Sequence, residues 1–217
     1  MTIDRGALLE RLKTELAEGR AGIRREFEAG VSGPDAAAAL SRLVDHIIVA
    51  LHDAAIHGSD AAPLAVVAVG GYGRGELAPY SDVDLLFLLG RKATSADQGL
   101  VEFVLYMLWD LGLQVGHASR TVDQCLADAH ADMTIRTTLV EARLVAGHGA
   151  LFATLRCRFR DELVDGTAAN FVRAKLAERN DRHERMGDSR YVLEPNIKDG
   201  KGGLRDLHTL FWIAKYL

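Results

Sequence analysis

The 217-residue sequence is poor in cysteine and proline, with two and four copies, and aromatic residues make up only 6% of it. Cys125 and Cys157 lie in helical patterns outside any C-x-x-C spacing, which excludes a disulfide framework and predicts reduced, buried thiols. No apolar run reaches the length of a membrane span, and Met1 to Arg5 contain no signal-peptide core. These absences predict a cytoplasmic protein that does not act at a membrane.

Clustered basic residues are also missing. The net charge is -4 and the isoelectric point is about 6.1, with acidic side chains in excess over residues 31–150 and a small basic excess over residues 151–217. Binding to a nucleic-acid polymer relies on clustered Lys and Arg, so such a substrate is not expected. The C-terminal excess of positive charge instead favours an anionic nucleotide or an acidic protein partner.

The most informative stretch predicts a strand, a glycine-rich turn and a second strand. Residues 64–69 are a short apolar run stopped by Gly70 and Gly71, and residues 83–89 form a second run of the same kind. Between them lie further glycines, Arg74 and Pro79. Asp82 and Asp84 stand at the mouth of the second predicted strand.

The paired acids indicate a metal site beside an anion site. Side chains alternate along a strand, so Asp82 and Asp84 point the same way about 6–7 Å apart. Their mutual repulsion favours a bound cation, and hard oxygen ligands suit Mg²⁺. The backbone of Gly70 and Gly71 can approach a phosphate, and Arg74 can add a charge-assisted contact. Together these features suggest a nucleoside triphosphate.

Two common phosphate-binding motifs do not fit this stretch. The P-loop pattern is absent because no lysine follows the glycines, and a Rossmann fingerprint does not place acids at the start of the next strand. Taken one at a time, the glycines are compatible with an ordinary turn and the D-x-D with a solvated strand end. The prediction of a nucleotide site depends on the glycines and the D-x-D occurring together at this spacing.

Residues 70–86, GGYGRGELAPYSDVDLL, resemble the glycine and Asp-x-Asp pattern of the nucleotidyltransferase superfamily that includes polymerase β. More narrowly, they look like the version found in the bacterial uridylyltransferases of the P-II protein. The resemblance implies an α+β fold, with the small mixed sheet of a polymerase-β-like nucleotidyltransferase, flanking N-terminal helices and a C-terminal helical domain. It implies Asp82 and Asp84 as catalytic Mg²⁺ ligands, and as nucleotide-binding residues Gly70, Gly71, Arg74 and Ser81.

One part of the superfamily pattern is missing. Related enzymes often carry a third carboxylate on a later strand, but the predicted third strand, residues 113–119, has no acidic residue. His117 on that strand fits either a polar group facing the nucleotide or a structural histidine. Glu141, placed on a predicted helix over residues 133–146, is a distant candidate. The third metal ligand is therefore left unassigned.

Helical periodicity covers most of the remaining chain. The predicted helices span residues 4–29, 36–56, 97–112, 121–129, 151–163 and 168–187, and another begins at Leu204. A nucleotidyltransferase domain is predicted over residues 61–147, after an N-terminal helical segment (residues 1–60) and before a helical domain (residues 148–217). The cations on the 168–187 helix predict a solvated face, with contact to a triphosphate as the alternative.

A second motif, LEPNIKDGKGGLRD at residues 193–206, resembles the segment that follows the nucleotidyltransferase domain in P-II uridylyltransferases. The apolar helical pattern still continues at Leu217, so a fragment of a longer enzyme is expected. In that family a uridylyl-removing domain and two glutamine-sensing modules follow. Neither uridylyl removal nor glutamine sensing is assigned to these residues.

The two resemblances together imply transfer of UMP from UTP to a tyrosine of P-II, with Mg²⁺ as cofactor, in the regulation of nitrogen assimilation. UTP and P-II are the expected partners, and glutamine acts only through domains absent here. No nucleic-acid or membrane partner is expected. Two alternatives stay open: an adenylyltransferase of the glutamine synthetase type, and a catalytically silent module that binds nucleotide.

Overall fold

A computed structural model describes residues 4–56, 64–187, 194 and 196–217. Residues 193 and 195, at the start of the second motif, lie outside the described residues. The helices are α1 (Arg5–Glu28), α2 (Gly33–Ile56), α3 (Gly70–Gly73), α4 (Ser95–Asp110), α5 (Val122–Ala131), α6 (Met133–Val140), α7 (Gly149–Phe159), α8 (Ala168–Arg185) and α9 (Leu204–Tyr216). The strands are β1 (Leu64–Ala68), β2 (Val83–Leu89), β3 (Val115–Thr121) and β4 (Arg143–Gly147), and a π-helical turn spans Arg160–Val164.

The two N-terminal helices form where the sequence predicts them. Asp4 caps α1, because its carboxylate accepts hydrogen bonds from the backbone N–H groups of Gly6 and Ala7. Leu12 and Leu16 are the buried residues of α1, in keeping with the helical spacing of its leucines. The second helix packs against both α1 and α4, so its apolar stripe lies in the core.

The four strands form one mixed sheet in the order β3-β2-β1-β4. β1 is antiparallel to both β2 and β4, whereas β2 and β3 are parallel and are joined through α4. One face of the sheet packs against α2 and α4, and Val83, Leu85 and Phe87 of β2 belong to that core. This architecture confirms the predicted α+β class and is consistent with a polymerase-β-like fold.

One predicted element is wrong in its second half. The helix expected over residues 133–146 ends at Val140, and Arg143–Gly147 form β4 instead. Pairing of residues 143, 144, 146 and 147 with β1 gives hydrogen-bond partners to the backbone groups on that side of the strand, at the edge of the sheet. A run as short as Leu144 to Ala146 has no hydrophobic period that distinguishes a strand from a helix, so the long-range pairing with β1 determines its conformation.

The chain divides into two compact units. The first comprises residues 1–125 and 141–155, and the second comprises residues 126–140 and 156–217. The three segments predicted from the sequence stay a prediction. Cys125 is buried as expected, but Cys157 is exposed, so the expectation of a buried thiol is wrong there.

In the second unit, α8 and α9 pack through aromatic and charged contacts. The rings of Phe171 and Tyr216 stack with their centroids 3.8 Å apart, and the Tyr216 hydroxyl donates to the Leu163 carbonyl at 2.6 Å. Lys175 is buried 5.0 Å from the ring centroid of Trp212. The prediction of a solvated cationic face on α8 is therefore wrong for Lys175 and also for Arg182, because both side chains are buried.

The second motif forms the loop before α9 and the first turn of that helix. The Asn196 side chain accepts hydrogen bonds from the N–H groups of Lys198 and Asp199 at 3.0 and 2.9 Å, which folds the loop back on itself. Asp206 then accepts hydrogen bonds from Arg182 and from the backbone N–H of Gly202. These bonds fasten the loop to α8 within the second unit.

Candidate active site

The glycine segment forms a single helical turn between β1 and β2. The N–H of Gly73 donates to the Val69 carbonyl at 2.9 Å, and the N–H of Arg74 donates to the Gly70 carbonyl at 3.2 Å. The N–H of Val69 donates to the Asp84 carbonyl at 3.0 Å, so the start of the turn is fixed to β2. The first N–H groups of any helical turn have no intrahelical acceptor, and the first residue of this turn, Gly70, lies close to the carboxylate of Asp84.

The carboxylate of Asp84 lies in a niche that two glycines keep open. Gly70 has a φ of +59°, and a Cβ built on it would lie 3.1 Å from Oδ2 of Asp84. On the adjacent strand Gly116 pairs with Asp84, and a Cβ there would overlap Oδ1. A side chain at Gly116 would force the carboxylate to move, and one at Gly70 would crowd it and strain the positive φ. Sequence reasoning assigned no role to Gly116, although a glycine inside a strand can mark such a close approach.

Asp82 and Asp84 interact, as the alternation of the strand predicts. Asp82 is exposed immediately before β2, and Asp84 is half-buried at its second residue. Burial raises the pKa of Asp84, and the negative charge of Asp82 raises it further. A half-buried carboxylate with a like-charged neighbour favours a bound cation, so these two residues fit Mg²⁺ as ligands.

The described residues contain no group of three or more His, Cys, Asp or Glu side chains placed to hold a metal ion. Two carboxylates are compatible with Mg²⁺, because this ion keeps several waters and often takes substrate phosphates as its remaining ligands. The Asp82–Asp84 pair therefore suits a metal that arrives together with a nucleotide.

Arg74 lies on the glycine turn, but two carboxylates engage its guanidinium. A Cβ on Gly71 would lie 3.5 Å from Nη2 of Arg74. The Arg74 Nε donates to Glu76 at 3.0 Å, and its Nη1 donates to Glu141, which is nearly fully buried. Burial lowers the pKa of Arg74, but hydrogen bonds and the charges of both acids raise it above its ordinary value overall. Contact between Arg74 and a phosphate stays a prediction. Glu141, the distant candidate for a third metal ligand, is bound to Arg74, and the third ligand stays unassigned.

Charged residues of α2 and β4 also support the glycine turn through hydrogen bonds. Tyr72 is fully buried and donates its hydroxyl to Asp45 of α2 at 2.5 Å. Arg143 of β4 donates two hydrogen bonds to the Asp45 carboxylate, at 2.8 and 3.0 Å, and one to the Tyr72 carbonyl at 3.2 Å. Helix α2 thus helps to position the glycine turn, a role that the sequence did not reveal.

Two other predicted residues are placed less centrally. Ser81 is exposed beside Asp82, and its N–H closes a turn by donating to the Ala78 carbonyl at 3.1 Å. His117 follows Gly116 on β3, so its side chain points to the opposite face from the niche of Asp84, and its ring is 6.3 Å from that of Trp109 on α4. His117 is exposed, so this placement supports neither a contact with a nucleotide beside Asp84 nor a buried structural role.

The mixed sheet, the glycine turn and the paired acids define a nucleotidyltransferase domain, and a family model of that description matches residues 58–144. A second model, described as GlnD PII-uridylyltransferase, matches residues 170–217, which include the second motif. Helices α1 and α2 lie outside both matches, although α2 contributes Asp45 to the support of the turn.

Several curated proteins called bifunctional uridylyltransferase/uridylyl-removing enzyme are similar to the chain over 98% of its length. They include proteins from Azospirillum brasilense, 54% identical, Rhodospirillum rubrum, 53% identical, and Caulobacter vibrioides, 49% identical. The chain covers 24%, 24% and 23% of these three proteins. The chain thus contains a nucleotidyltransferase domain and is similar to PII-uridylyltransferases along almost its whole length, and it spans about a quarter of the length of the curated relatives it matches.

In the parts of the chain that the structure describes, the helices are too short or too polar to span a bilayer.

Proposed function

We propose that the chain transfers UMP from UTP to a tyrosine hydroxyl of the P-II protein and releases pyrophosphate. The observation that carries this proposal is the Asp82–Asp84 pair beside the helical turn at Gly70 and Gly71, in a chain about 50% identical to uridylyltransferases. The proposed setting is the cytoplasm, in the regulation of nitrogen assimilation. Glutamine sensing and uridylyl removal are not assigned to these residues.

The proposed reaction is a single displacement at phosphorus. The acceptor oxygen forms a bond to the α-phosphorus of UTP, the bond from that phosphorus to the bridging oxygen of the β-phosphate breaks, and pyrophosphate leaves with the bond electrons. The phenolic proton passes to solvent, since no side chain near the site is assigned as a general base. The products are uridylyl-P-II and pyrophosphate.

Each residue of the site has one proposed task. Asp82 and Asp84 would hold Mg²⁺, which when bound lowers the pKa of the acceptor hydroxyl and neutralises the leaving pyrophosphate. The N–H groups of Gly70 and Gly71 donate to the phosphate oxygens. Arg74 and Ser81 make lesser contacts, and for Arg74 this requires its guanidinium to be shared with Glu76 and Glu141.

The direct test measures transfer of label from α-³²P-UTP to purified P-II, in the presence of Mg²⁺. Wild type is expected to label P-II, and Asp82→Asn is expected to lose the activity without loss of fold. Glu102, an exposed carboxylate of α4, supplies the matched control Glu102→Gln, which is expected to retain full transfer. Full transfer by Asp82→Asn would refute the site assignment.

The two alternatives give different outcomes in the same assay. An adenylyltransferase would label glutamine synthetase from α-³²P-ATP and leave P-II unlabelled. A silent module would bind UTP with Mg²⁺ in a calorimetric titration without labelling any acceptor. The second alternative is favoured by one observation, that no group of three metal-ligating side chains is found among the described residues.

A further inference from the structure

The turn that leads into Asp82 contains an exposed tyrosine, Tyr80, in an unfavourable backbone conformation, and the charge of the exposed Arg24 on α1 lies near it. The N–H of Ser81 donates to the Ala78 carbonyl at 3.1 Å, with Pro79 and Tyr80 between them. Tyr80 has a φ of +65° and is the one non-glycine residue with positive φ in the described part of the chain. Proline at the second position and a left-handed residue at the third are the features of a type II turn, which ordinarily takes Gly or Asn there.

Tyrosine in this position has two costs for folding. The left-handed conformation is strained for a side chain with a Cβ, and the aromatic ring is 100% exposed, so it buries no apolar surface in return. Backbone strain retained at one residue is found at binding and catalytic sites, where the strained residue has a task. Glycine would build the same turn without either cost.

The position of Tyr80 relative to the acids indicates what it contacts. Two residues span at most about 7 Å, so the Cα of Tyr80 lies within that distance of the Cα of Asp82. A protein interface of ordinary size covers about 800 Å² on each partner, which is a patch of about 16 Å radius if it is circular. A protein whose hydroxyl reaches Asp82 therefore covers the neighbouring turn as well.

We propose that Tyr80 is a docking residue for the protein acceptor, a contact that supports binding of the acceptor but takes no part in the chemistry. The inference rests on the proposed function, because it needs an acceptor that is a protein. A nucleotide is the less fitting occupant, since small-molecule sites are concave and enclose most of the ligand, and a fully exposed side chain forms no such wall. Exposed tyrosines are, in contrast, over-represented among residues that dominate protein interfaces.

The test compares three variants at Tyr80 by steady-state kinetics and by a binding titration with P-II. Tyr80→Gly is expected to raise KM for P-II about tenfold, with kcat and KM for UTP unchanged. Its melting temperature is expected to equal or exceed that of wild type, because glycine relieves the turn. Asparagine also tolerates the left-handed conformation, so Tyr80→Asn is expected to behave like Tyr80→Gly. Tyr80→Phe is expected to retain most of the affinity for P-II.

Tyr106 supplies the matched control, because it is another exposed tyrosine of the first unit, on α4. Tyr106→Ala is expected to leave KM for P-II unchanged. An unchanged KM for P-II in Tyr80→Gly, or a rise in KM for UTP instead, would overturn the inference while UMP transfer itself still supports the proposed function. If wild type transfers no UMP, the proposed function fails, and the titration of P-II against wild type and Tyr80→Gly decides the docking role separately.

Discussion

Substitution of Asp84 by asparagine should separate stability from activity. Two unit charges about 6.5 Å apart repel by about 0.6 kcal/mol at the dielectric constant of water and by about 2.6 kcal/mol at an effective value of 20. Asp82 is exposed and Asp84 half-buried, so a repulsion of about 1 kcal/mol is reasonable. Asparagine has nearly the same shape and fits the same niche between Gly70 and Gly116.

Without metal, Asp84→Asn is therefore expected to melt about 2–4 °C higher than wild type, the shift that about 1 kcal/mol produces in a chain of this size. With Mg²⁺ the order should reverse. At about 10 mM Mg²⁺ and a Kd of about 1 mM, wild type gains about 1.4 kcal/mol, and the variant gains much less because one ligand is gone. Transfer of UMP should be abolished in the variant.

The assay is a thermal melt of wild type, Asp84→Asn and the surface control Glu102→Gln, each with EDTA and with Mg²⁺, followed by the transfer assay. Glu102→Gln should follow wild type in every condition. A variant that melts below wild type in EDTA, together with a wild type that does not respond to Mg²⁺, would refute the reasoning, because the carboxylate would then be stabilised by contacts other than a cation.

Two further predictions concern the residues around the acids. Gly116→Ala places a methyl group against the Asp84 carboxylate and is expected to reduce kcat at least tenfold. Its control, Gly99→Ala, lies at an open position of α4 and should keep full activity and melt slightly higher. The transfer assay measures the activity of both variants, and circular dichroism measures their melting. Asp45→Asn weakens the charged hydrogen bonds to Arg143 and is expected to lower the free energy of unfolding by about 2 kcal/mol, as measured by denaturant melts. It is also expected to raise KM for UTP, as measured by UTP titrations. An unchanged KM for UTP would show that the glycine turn does not depend on this support.

Local sequence signals predicted most of the fold. The strand at residues 83–89 was predicted with the bounds that the structure shows. The helix predicted from residue 121 begins at Val122, and Thr121 and Gln124 exchange side-chain and backbone hydrogen bonds at its start. Such elements depend on periodicity and capping, which are properties of neighbouring residues. β4 was missed because its five residues become a strand by pairing with β1, nearly 80 positions earlier in the chain.

The candidate site likewise has features that the sequence predicted and features that it did not. The pairing of Asp82 with Asp84 was predictable because strand alternation fixes which side chains share a face. The opening for the Asp84 carboxylate was not, because Gly116 reaches it only through the parallel register of β2 and β3. The pairing of Arg74 with Glu141 likewise joins residues from distant parts of the chain.

By itself, the sequence determined the class of fold, the order of the main elements and the two acids with their glycine turn, since each is encoded by residues close together along the chain. Only the tertiary structure decided which residues surround those acids: the glycine across the sheet, the charged support from α2 and β4, and the exposed tyrosine on a strained turn beside Asp82. The physical reason is that packing and strand register bring together residues whose separation along the chain carries no local signal.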